Sequence, residues 1–223
     1  MKLKNKGIFI TGTDTGVGKT YVARGIAAAL KYSGINVGVM KPAETGCRRR
    51  SGKLLPADAL RLIAAAGVTD ALSLVNPYTL HEPLAPAVAA ERKGRSIDPE
   101  TIIRACRTLA ARHDFMLVEG AGGVMVPLTY EFLFLDLAAA LRLPALIVAR
   151  PGLGTINHTL LTVSALHHRR IRIAGIVINY AGDWKTGLAE KTNPAIIERM
   201  SGVRVLGVIK RDAQNFDQII EAL

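Results

Sequence analysis

"ITGTDTGVGKT", residues Ile10–Thr20, is the stretch on which the reading of this chain turns. It closes in Gly18-Lys19-Thr20, the end of a phosphate-binding loop of the form G-x-x-x-x-G-K-[ST]. The general form wants a glycine five residues before the second one. Thr13 holds that position, and the glycine sits one residue earlier, at Gly12. An apolar run, Ile8-Phe9-Ile10, leads in, and Val22, Ile26 and Leu30 recur afterwards at helical spacing. A buried strand, a glycine-rich turn and an amphipathic helix are the context the motif needs. Backbone N–H groups from Thr15 to Thr20 can then wrap a phosphate, with the helix dipole behind them. Lys19 reaches the terminal phosphates and the Thr20 hydroxyl binds magnesium.

The same alternation continues along the chain. Short, nearly unbroken apolar runs predict strands over Gly7–Thr11, Val37–Lys41, Phe115–Glu119, Ala145–Ala149, Ile173–Asn179 and Val205–Ile209. Helical patterns predict Lys19–Ser33, Ala57–Ala66, Pro99–Arg112, Ile156–His168, Asn193–Ser201 and Asn215–Leu223. The Pro-punctuated segment Val68–Gly94 reads as loop with a short helix. The predicted fold is α/β: a single P-loop NTPase-type domain over residues 1–223, mostly parallel, with helices on both faces of the sheet. In such a sheet, ligands bind beyond the carboxyl ends of the strands. Thr11, Lys41, Glu119, Asn179 and the Lys19 loop therefore belong on one rim.

Length and composition set outer limits. The chain has 223 residues, 49% hydrophobic, and a formal net charge of +11, which favours anionic ligands. Basic residues are scattered and aromatics make up only 5%, which argues against a nucleic-acid platform. Cys47 and Cys106 stand far apart without metal-ligand spacing, as suits a reducing, cytoplasmic location. No run approaches a membrane span, and the apolar run after the basic start is too short for a signal peptide.

Several polar residues have two readings. Lys41 in "VMKPAETG" ends a strand, where a charge is costly unless it faces a ligand or a carboxylate. It suits a cation beside a transferring phosphate, or a salt bridge to Glu119 or Asp58. Asp58, after Pro56, suits a helix start as well as a metal. Glu119 precedes glycines that let a phosphate approach, and it suits magnesium, an ion that takes oxygen ligands. Arg48-Arg49-Arg50 reads as a solvated loop, and His167–Arg170 as a cationic helix end. Cys47 carries no assigned role; Tyr78 and Trp184 read as packing residues.

Together, "TGTDTGVGKT", "KPAETG", "NPYTLHEPLAP", "VEGAGGVMVPL" and "GLGTINHTLLT" resemble the dethiobiotin synthetases. The matches run in order from Ile10 to about Asn179, and "VNPYTL", "EPLAP" and "LGTINH" are not generic to phosphate-binding ATPases. That family's loop carries its glycine where this chain has Gly12. The resemblance implies an ATP- and magnesium-dependent ring closure. 7,8-Diaminononanoate takes up CO2 as a carbamate, ATP phosphorylates it, and the second amine closes a ureido ring.

It also implies roles for residues. Lys19 and Lys41 would act on the γ-phosphate and carbamate oxygens. Thr15, Gly16, Val17, Gly18 and Thr20 would complete the ATP loop. Thr20, Asp58 and Glu119 would surround magnesium. Gly120, Ala121 and Gly122 would line the pocket. Asn179, followed by Tyr180, would read the adenine, as an Asn amide pairs with adenine's N6 and N7 edge. Thr15 and Thr45 would place the substrate. Gly154, Thr155, Ile156 and Asn157 would offer N–H groups to the substrate carboxylate across a homodimer. Gly16 stands where some members carry a substrate-contacting Glu, Tyr180 where some carry Asp, and Lys210-Arg211 where members often have Pro. Two scaffold-related readings compete. A cobyrinate-type amide synthetase would need a glutaminase domain. A partitioning ATPase would carry Lys at the Asp14 position.

Overall fold

The computed structural model describes residues 5–180, 187–210 and 216–223. In chain order its elements are β1 (Gly7–Gly12), α1 (Lys19–Tyr32), β2 (Val37–Met40), β3 (Ala43–Glu44), β4 (Arg48–Arg50), β5 (Lys53–Leu55), α2 (Ala57–Ala66), α3 (Leu72–Val75), β6 (Tyr78–Thr79), α4 (Pro86–Glu91) and α5 (Pro99–Ala110). There follow β7 (Phe115–Gly123), β8 (Pro127–Thr129), β9 (Phe132–Leu133), α6 (Phe134–Leu141), β10 (Ala145–Ala149), α7 (Thr155–His168), β11 (Ile173–Asn179), α8 (Leu188–Ser201), β12 (Val205–Ile209) and α9 (Asp217–Ala222).

Six strands form one parallel sheet in the order β12-β11-β10-β1-β7-β2. Side chains alternate across it, so one strand feeds two cores. Ile8 and Ile10 face α1, α2 and α9, with Val22, Ile26, Leu30, Leu62 and Ile219. Phe9 points the other way, into the layer of Ile102, Leu109, Phe134, Leu166 and Ile197. This double burial explains the unbroken apolar strands. Because every strand is parallel, all carboxyl ends share one rim. β1 lies between β10 and β7, which sets the Lys19 loop between Arg150 and Glu119. Among the described residues no helix is long and apolar enough to cross a membrane.

The fold class is as the alternation predicts, with several local corrections. Strand β7 runs on through Gly123, and its pairing with β1 jumps from Ile10↔Glu119 to Gly12↔Gly123, so Gly120–Gly122 bulge out beside the phosphate loop. Arg48–Arg50 is not a loop but one arm of a hairpin with Lys53–Leu55, turning at Ser51 and Gly52. The Val68–Gly94 segment holds two short helices, α3 and α4, and the β6 bridge to β3. Helix α6 has no counterpart in the sequence reading. Its sequence, FLDLAAAL, is apolar nearly all round, so it shows no stripe. Helix α8 starts at Leu188 rather than Asn193, and Pro194 lies inside it. Its start is set by Glu190, whose carboxylate accepts from the Gly187 N–H at 2.9 Å. Trp184, Arg211 and Asn215 lie outside the described residues.

Candidate active site

The loop after β1 closes on α1 with Gly18 at φ 85°, a left-handed conformation that favours glycine. Gly12 is needed for space instead. A Cβ there would stand 2.8 Å from the Asp14 carbonyl oxygen and 3.0 Å from Lys19 Nζ. This explains why the glycine precedes Thr13. The Lys19 ammonium folds back over the loop and donates to that Asp14 carbonyl at 3.1 Å.

Beside the loop lies a cleft of about 720 Å³. Of the residues singled out by sequence, Thr15, Gly16, Gly18, Lys19, Thr20, Lys41, Thr45, Asp58, Glu119, Ala121 and Gly122 line it. Its polar centre is compact. Glu119, wholly buried, accepts at Oε1 from Lys41 Nζ at 2.6 Å and from the Thr20 hydroxyl at 2.7 Å. Lys41, itself 4% exposed, also donates to the Gly120 carbonyl at 3.1 Å and stands 3.9 Å from Asp58 Oδ2. Both salt bridges open to Lys41 from its position are thus formed, the Glu119 one far shorter. Glu119 Oε2 is buried and has no hydrogen-bond partner among the described residues. A carboxylate oxygen left in that state is costly unless something else binds it.

Other expected residues sit elsewhere. Val17 is buried beneath the loop, and its carbonyl accepts from Asn179 Nδ2 at 2.9 Å. Asn179 therefore braces the loop from the end of β11, with Tyr180 next to it, also buried, its hydroxyl 3.4 Å from the Glu190 carbonyl. Neither lines the cleft. Gly154, at φ 86°, and Thr155, Ile156 and Asn157 form the start of α7 after β10 and are likewise outside the cleft of this chain.

Two contributors escaped the sequence reading. Glu44 lines the cleft and accepts from the N–H groups of Asp58 at 2.9 Å and Ala59 at 3.0 Å. Helix α2 has Pro56 at its N-cap and no side-chain cap of its own. A carboxylate fourteen residues back supplies one and holds Asp58 at the cleft. Burial pushes the Glu44 carboxyl above its usual range, against the pull of those two N–H groups. The only advance signal was an acidic residue in "KPAETG" ahead of a helix without a capping side chain. The second contributor is Asn76, whose Nδ2 donates to the Lys41 carbonyl at 2.6 Å and fixes the turn after β2.

Burial, then the nearby Lys41 charge, pull the Lys19 ammonium down from 10.5 to about 8, against the attraction of Glu119, Asp14 and Asp58. Below about pH 8 the folded chain carries the cost of a buried charge. Between pH 8 and 10.5 it has released a proton that the unfolded chain keeps, so stability should rise with pH in that window. The difference in unfolding free energy between this protein and its Lys19→Met variant, from denaturant titrations at about pH 7.5 and about pH 9.5, should move in the wild type's favour. A difference independent of pH would refute the buried-ammonium account.

A family described as "AAA domain" matches residues 6–215. The ATP-dependent dethiobiotin synthetase BioD of Thermodesulfovibrio yellowstonii is 45% identical over 210 residues, covering 91% of this chain and 88% of that protein. Its namesake from Anaeromyxobacter dehalogenans is 51% identical over 177 residues, covering 79% and 78%. Among solved structures, the MinC:MinD cell division complex of Aquifex aeolicus superposes with a TM-score of 0.60 at 19% identity, covering 98% of this chain and 86% of that one. At that identity the likeness concerns the fold alone, a P-loop α/β sheet. With a phosphate loop, two buried lysines and three carboxylates gathered at one rim, and with relatives this similar over most of their length, the chain belongs to the ATP-dependent dethiobiotin synthetase family.

Proposed function

We propose that this single-domain enzyme, a C–N bond-forming ligase, carboxylates 7,8-diaminononanoate with CO2 and closes the ureido ring at the expense of ATP. The observation that carries the reading is the cluster of Lys19, Lys41, Thr20, Asp58 and Glu119 in one cleft. An alkylamine has a pKa of about 10.4 in water and attacks CO2 only as the free base. Two ammonium groups beside it lower that pKa and stabilise the anionic carbamate. The first amine forms an N–C bond to CO2 and loses a proton. A carbamate oxygen attacks the γ-phosphorus and ADP leaves. The second amine then attacks the carbamoyl carbon, losing its proton as phosphate departs. Lys19 and Lys41 hold charge on the phosphoryl and carbamate oxygens throughout, so catalysis rests on position and electrostatics.

Magnesium suits the donor set: an orphaned buried carboxylate oxygen on Glu119, the Thr20 hydroxyl and the half-buried Asp58 are hard oxygen donors. When bound it would neutralise phosphate charge. Thr15, Gly16, Val17 and Gly18 would supply the phosphate loop and Ala121 with Gly122 the cleft wall; Gly120, also expected there, does not line the cleft but accepts from Lys41 through its carbonyl, and Asn179 with Tyr180 would form the adenine end. Thr45 would place the diamine. Gly154–Asn157 would meet the substrate carboxylate of a second subunit. That they stand outside this chain's own cleft, beside the exposed Leu153 and Leu161, supports a homodimer. Two buried free cysteines fit a reducing cytoplasm. The switch-type reading drawn from the MinD-like fold finds Asp14 where those loops carry Lys.

The test is ADP release with bicarbonate present, with and without the diamine. Strict dependence on the diamine, with dethiobiotin as product, is expected. Turnover indifferent to the diamine, or driven by DNA or lipid, would reject the reading.

A further inference from the structure

The residue after β10, Arg150, plays no part in the chemistry above, yet it touches two elements that do. Its Nη1 lies 3.9 Å from Asp14 Oδ2 in the phosphate loop, and its Nη2 lies 3.2 Å from His158 Nδ1, in the first turn of α7. A guanidinium only donates, so in this contact His158 Nδ1 is the acceptor. Arg150 Nε is fully buried. The side chain as a whole is 32% exposed and lies between the loop and the helix.

Asp14, its side chain half exposed, makes three contacts. Its Oδ1 accepts from the Thr15 N–H at 2.7 Å, its main-chain oxygen accepts from Lys19, and Oδ2 faces Arg150. The arginine thus faces, at 3.9 Å, the carboxylate that accepts from the Thr15 N–H, and that turn carries the carbonyl on which the Lys19 ammonium rests. We infer that Arg150 is a positioning residue for ATP. It holds the phosphate loop in its binding shape through Asp14 and ties that shape to the start of α7 through His158. A loop already ordered loses less entropy when phosphates arrive, so the effect belongs in nucleotide affinity. The tie to α7 has a functional consequence only if Gly154–Asn157 meet the substrate carboxylate, as proposed above.

The test is a double-mutant cycle on the affinity for magnesium ADP, read by calorimetry. Arg150→Ala and Asp14→Asn should each weaken binding by about 5–10-fold, and the double variant should be no worse than either single one. In turnover, Arg150→Ala should raise KM for ATP by a similar factor, with kcat within about 3-fold of wild type. Arg150→Lys can face Asp14 but cannot bridge to His158, and should recover part of the affinity. Thermal midpoints read alongside separate folding from positioning. Multiplying losses in the double variant, or unchanged ADP affinity in Arg150→Ala, would overturn the inference. If the wild type bound ADP but made no dethiobiotin, the proposed function would fail while this cycle stayed decisive.

Discussion

Turnover is expected to fall by about 10²–10³-fold when Lys41 is replaced by alanine, the usual loss on removing one preorganised charge from a transferring oxyanion. Lys41 is 4% exposed and its ammonium sits 2.6 Å from Glu119, so it acts in a site where water screens little. The same change harms the fold. Glu119 is completely buried, and it would lose its cationic partner. Breaking a buried ion pair from one side costs about 3–5 kcal/mol, because the remaining charge is stranded. The variant should therefore unfold at a visibly lower temperature, and turnover must be read well below that midpoint and per mole of folded protein. ADP affinity serves as the control for an intact loop. Near-normal turnover in folded Lys41→Ala would remove the lysine from the chemistry.

The second large effect is expected at its partner. Glu119→Gln keeps the shape and one acceptor oxygen but replaces the other oxygen with a donor. One amide face must meet either the donors Lys41 and Thr20 or the place where Oε2 now lies unpartnered. The magnesium concentration for half-maximal turnover should rise by at least about 10–100-fold, the range seen when even the groups that orient a metal's ligands are mutated. Turnover at saturating metal should fall by about 10²-fold. Stability should suffer less than in Lys41→Ala. The buried negative charge is gone, and Lys41 keeps the Gly120 carbonyl and, at 3.9 Å, Asp58. A magnesium titration and a thermal melt of both variants separate the two effects. An unchanged magnesium midpoint would sink the assignment of Glu119 to the metal.

Much of the fold could be read in advance. Strands Ala145–Ala149, Ile173–Asn179 and Val205–Ile209 appear in the structure with the bounds the apolar runs suggest. Burial on both faces makes a parallel strand an unbroken apolar word, ended sharply by a polar or turn residue. What failed did so for the same reason reversed. Helix α6 is apolar nearly all round, so it carries no period. The tail of β7, Gly120–Gly123, has no strand propensity and pairs with its neighbour β1 at Gly123. Arg48–Arg50 pairs only because Ser51 and Gly52 turn the chain back with positive φ. Asn193-Pro194 looks like a helix start, yet Glu190 caps the helix earlier.

The sequence by itself determined the phosphate loop, the alternation of strand and helix, the rim on which the functional side chains fall and the family to which the chain belongs. All of these depend on residue type at short range: a glycine spacing, a period of two or of 3.6, a polar residue at the end of an apolar run. Only the tertiary structure decided who touches whom on that rim. Lys41 lies against Glu119, 78 residues away, more closely than against the nearer Asp58. Glu44 caps α2, Asn179 braces Val17, and Arg150 stands between Asp14 and His158. Strand order and register in the sheet bring the Lys41–Glu119, Asn179–Val17 and Arg150–Asp14 pairs together, and no local preference of the chain encodes which strand lies beside which.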